Sequence, residues 1–279
     1  MRATTTTHNG AAQTAYNAAA DPWSNGPAGR KARFLDAVAF EWIKVSTVRS
    51  TWWTLFAAAF ITISIGAFAG SGADPGSEAD FVLREIYVGL PIGQLAICLF
   101  GALAATSEYG TGSIRSTFTA VPKRPRLLAA KALVVFAVSL VTGLLISFAT
   151  YTAGTLSLGA AVTRPELSDG AVLRAVLGGG CYLGVLGVFA LLVGLLLRAS
   201  AGAITACVGL TFLLPLMFHA LSSLGDLLLK WWPTEAGQQV LHVVPSDTRL
   251  APLAGLGWFA VCTLVVLALV TSRVTRRDA

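Results

Sequence analysis

Six apolar runs, at 52–70, 86–106, 133–154, 175–197, 201–221 and 253–271, contain no Asp, Glu, Lys or Arg. Each is close to the about 20 helical residues that one bilayer crossing requires. Charges confined to the gaps between such runs cannot solvate a globular surface: 12% of residues are charged and 55% hydrophobic, against roughly 25% charged in soluble domains. The chain therefore reads as an all-α, polytopic membrane protein with six transmembrane helices. The narrowest gap, Arg198-Ala199-Ser200, predicts a tight hairpin between the fourth and fifth runs.

Charge supports the same layout. With six spans, 15 of the 20 Lys and Arg fall on one side and five on the other, which predicts that both termini are cytoplasmic. Merging the fourth and fifth runs would put Arg273, Arg276 and Arg277 outside and break that bias. The net charge of +6 is thus a matter of topology, with the positives in short clusters beside apolar runs, and no nucleic-acid partner is implied. Cys98, Cys181, Cys207 and Cys262 stand singly in apolar runs, which supports neither a disulfide framework nor a zinc site.

Residues 1–29, rich in Thr, Ala and Asn, predict a flexible cytoplasmic tail. Segment 31–50 predicts an interfacial helix with Phe34, Leu35, Val38, Trp42 and Val45 on one stripe, on which Glu41 intrudes. The alternative is a polybasic flank that only orients the first span. In the fourth run Gly180, Gly184, Gly187, Ala190 and Gly194 form a smooth face, open to ordinary helix packing or to a dimer seam.

The sequence offers no catalytic constellation. There is no GxxxxGK[ST] phosphate loop, Gly110-Thr111-Gly112 lacking both the spacing and the lysine, so no cofactor is expected in this chain. His8, His219 and His242 are scattered. Within the runs the polar inventory is Gln94 with hydroxyls such as Thr62, Ser139, Ser147 and Thr211. Ion-coupled transporters often carry ionisable groups in their spans, so energy for transport is expected to enter through a cytoplasmic surface.

The gap that could receive it is 107–132, where Arg115, Lys123, Arg124, Arg126 and Lys131 face one acid, Glu108. Residues 111–121 predict a short helix with Ile114, Phe118 and Val121 on one face, ended by Pro122, and Pro125 suits the start of the next helix. Glu108, at the C-terminal end of a helix, opposes its dipole, which leaves two readings: a cationic partner, with Arg115, Lys44 or Arg49 as candidates, or a solvated carboxylate at the headgroup level.

Here the residues resemble a known family, the membrane subunits of type-2 ABC exporters, particularly the six-span permeases of high-GC Gram-positive bacteria. The resemblance runs through Glu41-Trp42-Ile43-Lys44, Val48-Arg49-Ser50-Thr51-Trp52-Trp53, Glu108-Tyr109-Gly110-Thr111-Gly112-Ser113-Ile114-Arg115, Ala120-Val121-Pro122-Lys123-Arg124 and Ala130-Lys131-Ala132, and covers the chain from residue 31 onward. It implies a bacterial plasma-membrane permease paired with a separate ABC ATPase, which would hold Mg-ATP, and with a second permease copy. Glu41, Trp42, Lys44 and Arg49 would belong to a connecting helix. Glu108, Gly112, Ile114, Arg115, Phe118, Lys123 and Arg124 would form the ATPase-coupling loop. In the outer loop 222–252, segment 227–241 looks like the family's re-entrant hydrophobic loop, the alternative being an aromatic belt at Trp231 and Trp232. Pro91, Gln94, Pro215 and Phe218 are candidates for the cargo pathway, since proline in a span leaves room and free carbonyls. The rival readings are an ion-coupled secondary transporter and a non-transporting scaffold or sensor.

Overall fold

The computed structural model describes residues 34–110 and 124–276, and among these there is no strand. Helix α1 (Phe34–Thr47) precedes α2 (Arg49–Ser71). The short α3 (Ala79–Ile86) passes through a 3-10 turn into α4 (Leu90–Gly110). Then come α5 (Arg124–Leu156), α6 (Gly170–Leu197), α7 (Ser200–Val208) and, beyond a π-turn, α8 (Leu214–His219). The chain ends with α9 (Ser222–Trp231), α10 (Pro233–Gln238) and α11 (Pro252–Arg276). Six helical stretches are long and apolar enough to cross a membrane: α2, α3 with α4, α5, α6, α7 with α8, and α11. That fits an integral membrane protein.

Those stretches reach further than the apolar runs. The second takes in Asp80, Arg84 and Glu85, expected in a loop, and ends beyond Glu108, while α5 begins at Arg124 and carries Lys131 in its second turn. The runs themselves are free of charge, and the charged residues lie on the helical extensions beyond them. Glu108 and Lys131 are helical and buried.

Packing explains where the glycines fall. α6 is the central helix, pressed on one side by α5 and on another by α4. A Cβ on Gly180 would meet Leu144 of α5 at 2.5 Å, one on Gly187 would meet Ser139 Oγ of α5 at 2.1 Å, and one on Gly194 would meet the Ala102 carbonyl of α4 at 2.8 Å. The smooth face is therefore consumed inside the chain, by two neighbours rather than one seam. α2, α7 with α8, and α11 stand outside this core, only 22–28% of their apolar windows being buried against 61% for α4 and α6.

The predicted hairpin forms. α6 stops at Arg198, a non-glycine residue in the left-handed region (φ 54°) whose N–H donates to the Gly194 carbonyl at 2.9 Å, and the chain re-enters helix at Ser200. Ser200 Oγ then donates to Thr106 Oγ1 at 2.8 Å, docking the start of α7 on the end of α4.

Segment 222–241 departs from a plain outer loop. Two short helices and a 3-10 turn run through it, with Pro233 at the first turn of α10, where its missing N–H costs nothing. The α10 backbone lies so close to α11 that a Cβ on Gly255 would sit 2.0 Å from the Ala236 carbonyl. Gly237 faces Phe259 and Tyr182. Tyr182 lies twelve residues into α6, about 18 Å along its axis, so the segment inserts well into the bundle. Residues 233–241 are buried or half-buried in protein and largely helical, the condition under which a broken segment is tolerated at such depth. The two tryptophans divide the alternatives between them. Trp231 is exposed and packs edge-on against Trp258 at 5.5 Å, as a belt residue would, whereas half-buried Trp232 donates from Nε1 to the Leu210 carbonyl at 2.8 Å.

Candidate functional site: a buried ion cluster joining three helices

The strongest concentration of chemistry is where α1 crosses the ends of α4 and α5. On α1, Ala37, Glu41 and Val45 recur at steps of four and form the buried face. Phe34, Leu35 and Trp42, expected with Val45 on the apolar stripe of an interfacial helix, are exposed. The reason lies on the facing helix: α5 presents a lysine, so the carboxylate of α1 turns inward and the aromatic turns out. Glu41 is the centre of the contact rather than an intrusion on it.

Lys131 is the hub. Its ammonium donates to Glu41 Oε2 at 2.7 Å, to Glu108 Oε1, and to the Ala104 carbonyl at 3.4 Å. That uses all three of its N–H donors. Lys44 donates to the same Glu108 oxygen. The side chains of Glu41, Glu108 and Lys131 are 2%, 5% and 7% exposed and that of Lys44 is 30% exposed. Two carboxylates and two ammonium groups leave the cluster formally neutral. Among the described residues Glu41 Oε1 has no donor.

The cost of this arrangement is considerable. Each buried ion loses several kcal/mol of hydration, and mutual attraction offsets that only when the partners are all in place. The helix dipole adds to the cost for Glu108, which sits in the last turn of its helix, the unfavourable end for an acid. Lys44, in the last turn of α1, and Asp36, in its first, are placed favourably. The cluster holds together because Lys131 bonds both acids. It therefore fastens α1, α4 and α5 to one another at a single point.

Of the sequence-predicted site residues, the structure brings together Glu41, Lys44 and Glu108. Of the three partners considered for Glu108, Lys44 is one found on it. Lys131, read only as a topological anchor, is the residue that reasoning missed. Its signal was available: in Leu127-Leu128-Ala129-Ala130-Lys131-Ala132-Leu133-Val134-Val135 the lysine shares a helical face with buried Leu127, Leu128, Val134 and Val135. Trp42 and Arg49 are exposed and stand outside the cluster. Gly112, Ile114, Arg115, Phe118 and Lys123, with the helix expected at 111–121, lie outside the described residues, as does the tail at 1–29. Arg124 opens α5, its side chain also outside them. Beside the cluster is a cavity of about 320 Å³ that reaches from Glu41 and Lys44 to Leu99 and Val135.

The four cargo candidates fall into two pairs, one on α4 and one on α8. Gln94 is buried and accepts a hydrogen bond from Tyr182 Oη at 2.8 Å, while Gln238 of α10 donates to Tyr182 at 3.2 Å and reaches Gln94 at 3.5 Å. Pro91 is half-buried on the same helix. Pro215 is buried on α8, and Phe218 packs edge-on against Trp232 at 5.2 Å. What links the two pairs is the inserted segment, through Gln238 and Trp232. Within that segment Glu235 is held above the usual carboxylate range by burial, although His219 and Arg249 pull the other way. Burial, helped by Arg84, pushes His242 below its ordinary value.

Among the described residues no group of His, Cys, Asp and Glu is placed to hold a metal ion. No protein-family model matches the chain, and no curated protein matches it.

Proposed function

We propose that the chain is the permease subunit of an ATP-binding cassette exporter, forming the translocation pathway in a bacterial plasma membrane and drawing its power from a separate ATPase. The observation that carries this reading is the ion cluster. It fastens the helix lying before the first span to both helices that flank residues 111–123, so that a force applied at either element reaches the same three helices together. A rigid joint at that place is what coupling to an outside motor requires, and two-state motion of packed helices is how such a push becomes a change of access. The resemblance described above is the support for the motor's identity, and the charge bias supports a cytoplasmic position for the cluster.

In this reading nucleotide binding draws two ATPases together and moves the 107–132 elbow, while Lys131 and Glu108 pass that movement into α4 and α5. A second permease copy completes the pathway. Arg115→Glu is expected to leave membrane insertion unchanged while lowering transport and the stimulation of a co-purified ATPase encoded beside this gene. Uphill transport by the reconstituted chain alone, with no nucleotide-hydrolysing companion, would overturn the reading.

One observation favours a second reading, ion-coupled transport. Glu235, a carboxyl with raised proton affinity in a segment that reaches the bundle interior, is the kind of group a proton-coupled carrier uses. Transport that survives ATP depletion but collapses with the proton gradient, and is lost in Glu235→Gln, selects that reading.

A further inference from the structure

We propose that the cavity beside the ion cluster seats one acyl chain of an anionic phospholipid, whose phosphate is held at the mouth by Lys44 and Arg49. This inference rests on the chain lying in a bilayer and not on the export reading. The cavity, about 320 Å³, lies between α1, the start of α2, the end of α4 and the start of α5. That is about twice the ~150 Å³ apolar void that already admits a benzene ring. Its walls are mostly apolar, with Val45, Leu99, Leu103 and Val135 among them. Leu99 precedes Glu108 by nine residues on α4, about 13 Å along the axis. The cavity therefore runs from the charged end of the bundle toward hydrocarbon depth, where the surrounding medium is lipid chains. Left empty, its walls would forfeit their dispersion contacts.

Charge selects the head group. Of the four ions only Lys44 reaches the surface appreciably, its side chain 30% exposed against 7% or less for the others. Arg49, just past the extended Val48 that joins α1 to α2, is exposed and begins α2, and its neighbours Val48, Ser50 and Thr51 line the cavity. The accessible charge is thus positive although the cluster as a whole is neutral. An ammonium has three donors, so the bond from Lys44 to Glu108 does not exhaust it. A phosphate diester at the mouth would share Lys44 with Glu108, and lipid composition would then act on the joint between α1 and α4.

The test uses the full chain purified in mild detergent and examined by native mass spectrometry and thermal denaturation, with dioleoylphosphatidylglycerol, dioleoylphosphatidylcholine or inorganic phosphate added. One phosphatidylglycerol is expected to be retained and to raise the midpoint, phosphatidylcholine to bind about fivefold more weakly or worse, the ~1 kcal/mol that one near-surface cation contributes toward an anionic lipid, and free phosphate neither to bind nor to compete. Leu103→Trp, which fills the cavity, abolishes retention. Arg49→Gln, on an exposed side chain outside the ion cluster, narrows the preference between the two lipids and decides alone should Leu103→Trp lower the midpoint without lipid. Equal retention of both lipids, full retention in Leu103→Trp, an unchanged preference in Arg49→Gln, or displacement by free phosphate each overturns the proposal.

Discussion

At one end of the bundle Lys131 gathers Glu41 and Glu108 from two other helices by paired charge; deeper in the bundle, Tyr182 gathers Gln94 and Gln238 through neutral hydrogen bonds. Both join three elements distant in sequence, and both are buried. They differ in how they fail. A neutral donor that loses its partner exposes one unsatisfied group, whereas an ion that loses its partner remains charged in a place where water cannot reach it. The charged joint is therefore conditional on every member, and the neutral one degrades by steps.

The largest effect separating them comes from Lys131→Met, which leaves Glu41 and Glu108 without their shared cation. Destabilisation of about 3–5 kcal/mol is expected, read as a loss of denaturation midpoint in detergent, and the combined variant Glu41→Leu, Glu108→Gln, Lys131→Met should recover most of it. A single-variant loss no greater than that of a neutral substitution would mean the charges keep their hydration, and the contrast would break. Tyr182→Phe is the neutral counterpart. It removes one donor while Gln238 still reaches Gln94, so a loss of about 1 kcal/mol is expected by the same assay.

The smallest effect sharpens the comparison with pH. Glu235 lies beside the neutral joint with its proton affinity raised by burial. The folded segment therefore favours the protonated carboxyl. Its contribution to stability is fully present below the ordinary glutamate value of about 4.3 and is lost as pH rises through the elevated pKa of the folded state. Hydrogen exchange in 233–241, corrected for the intrinsic rate, is expected to quicken over that window, and Glu235→Gln to flatten the dependence. A pH dependence that persists in the variant would assign it elsewhere, His242 being the nearest alternative along the chain.

Much of the architecture was legible in the sequence because its determinants are local. Length and the exclusion of charge mark six spans, and the three-residue gap at Arg198-Ala199-Ser200 marks the hairpin. Part of the ion cluster was legible too, since an acid at a helix C-terminus favours a cation over solvation alone only where one is near, and Lys44 was among those considered. Lys131 was obscured by the topological argument itself: counting it with the positives of a loop hid the helical register that places it in the core. The inserted segment illustrates another limit. Its depth is set by Gly178, Gly237 and Gly255, which admit backbone and Val240 where any Cβ would collide, and no spacing rule connects glycines so far apart. Gln238 and Glu235 matter only once that depth is known.

The π-turn at Gly209–Leu213 has a geometric effect on everything that follows it in the fifth span. Adding one residue to a repeat of 3.6 rotates the continuing helix by about 100° relative to an unbroken one. The wider turn precedes Pro215, which can offer no N–H to Thr211, and the Trp232 indole supplies a donor to Leu210 one residue earlier. Without that surplus residue the Phe218 ring would swing more than a quarter-circle away from the indole it now meets, and the buried edge of the span would be a different set of side chains.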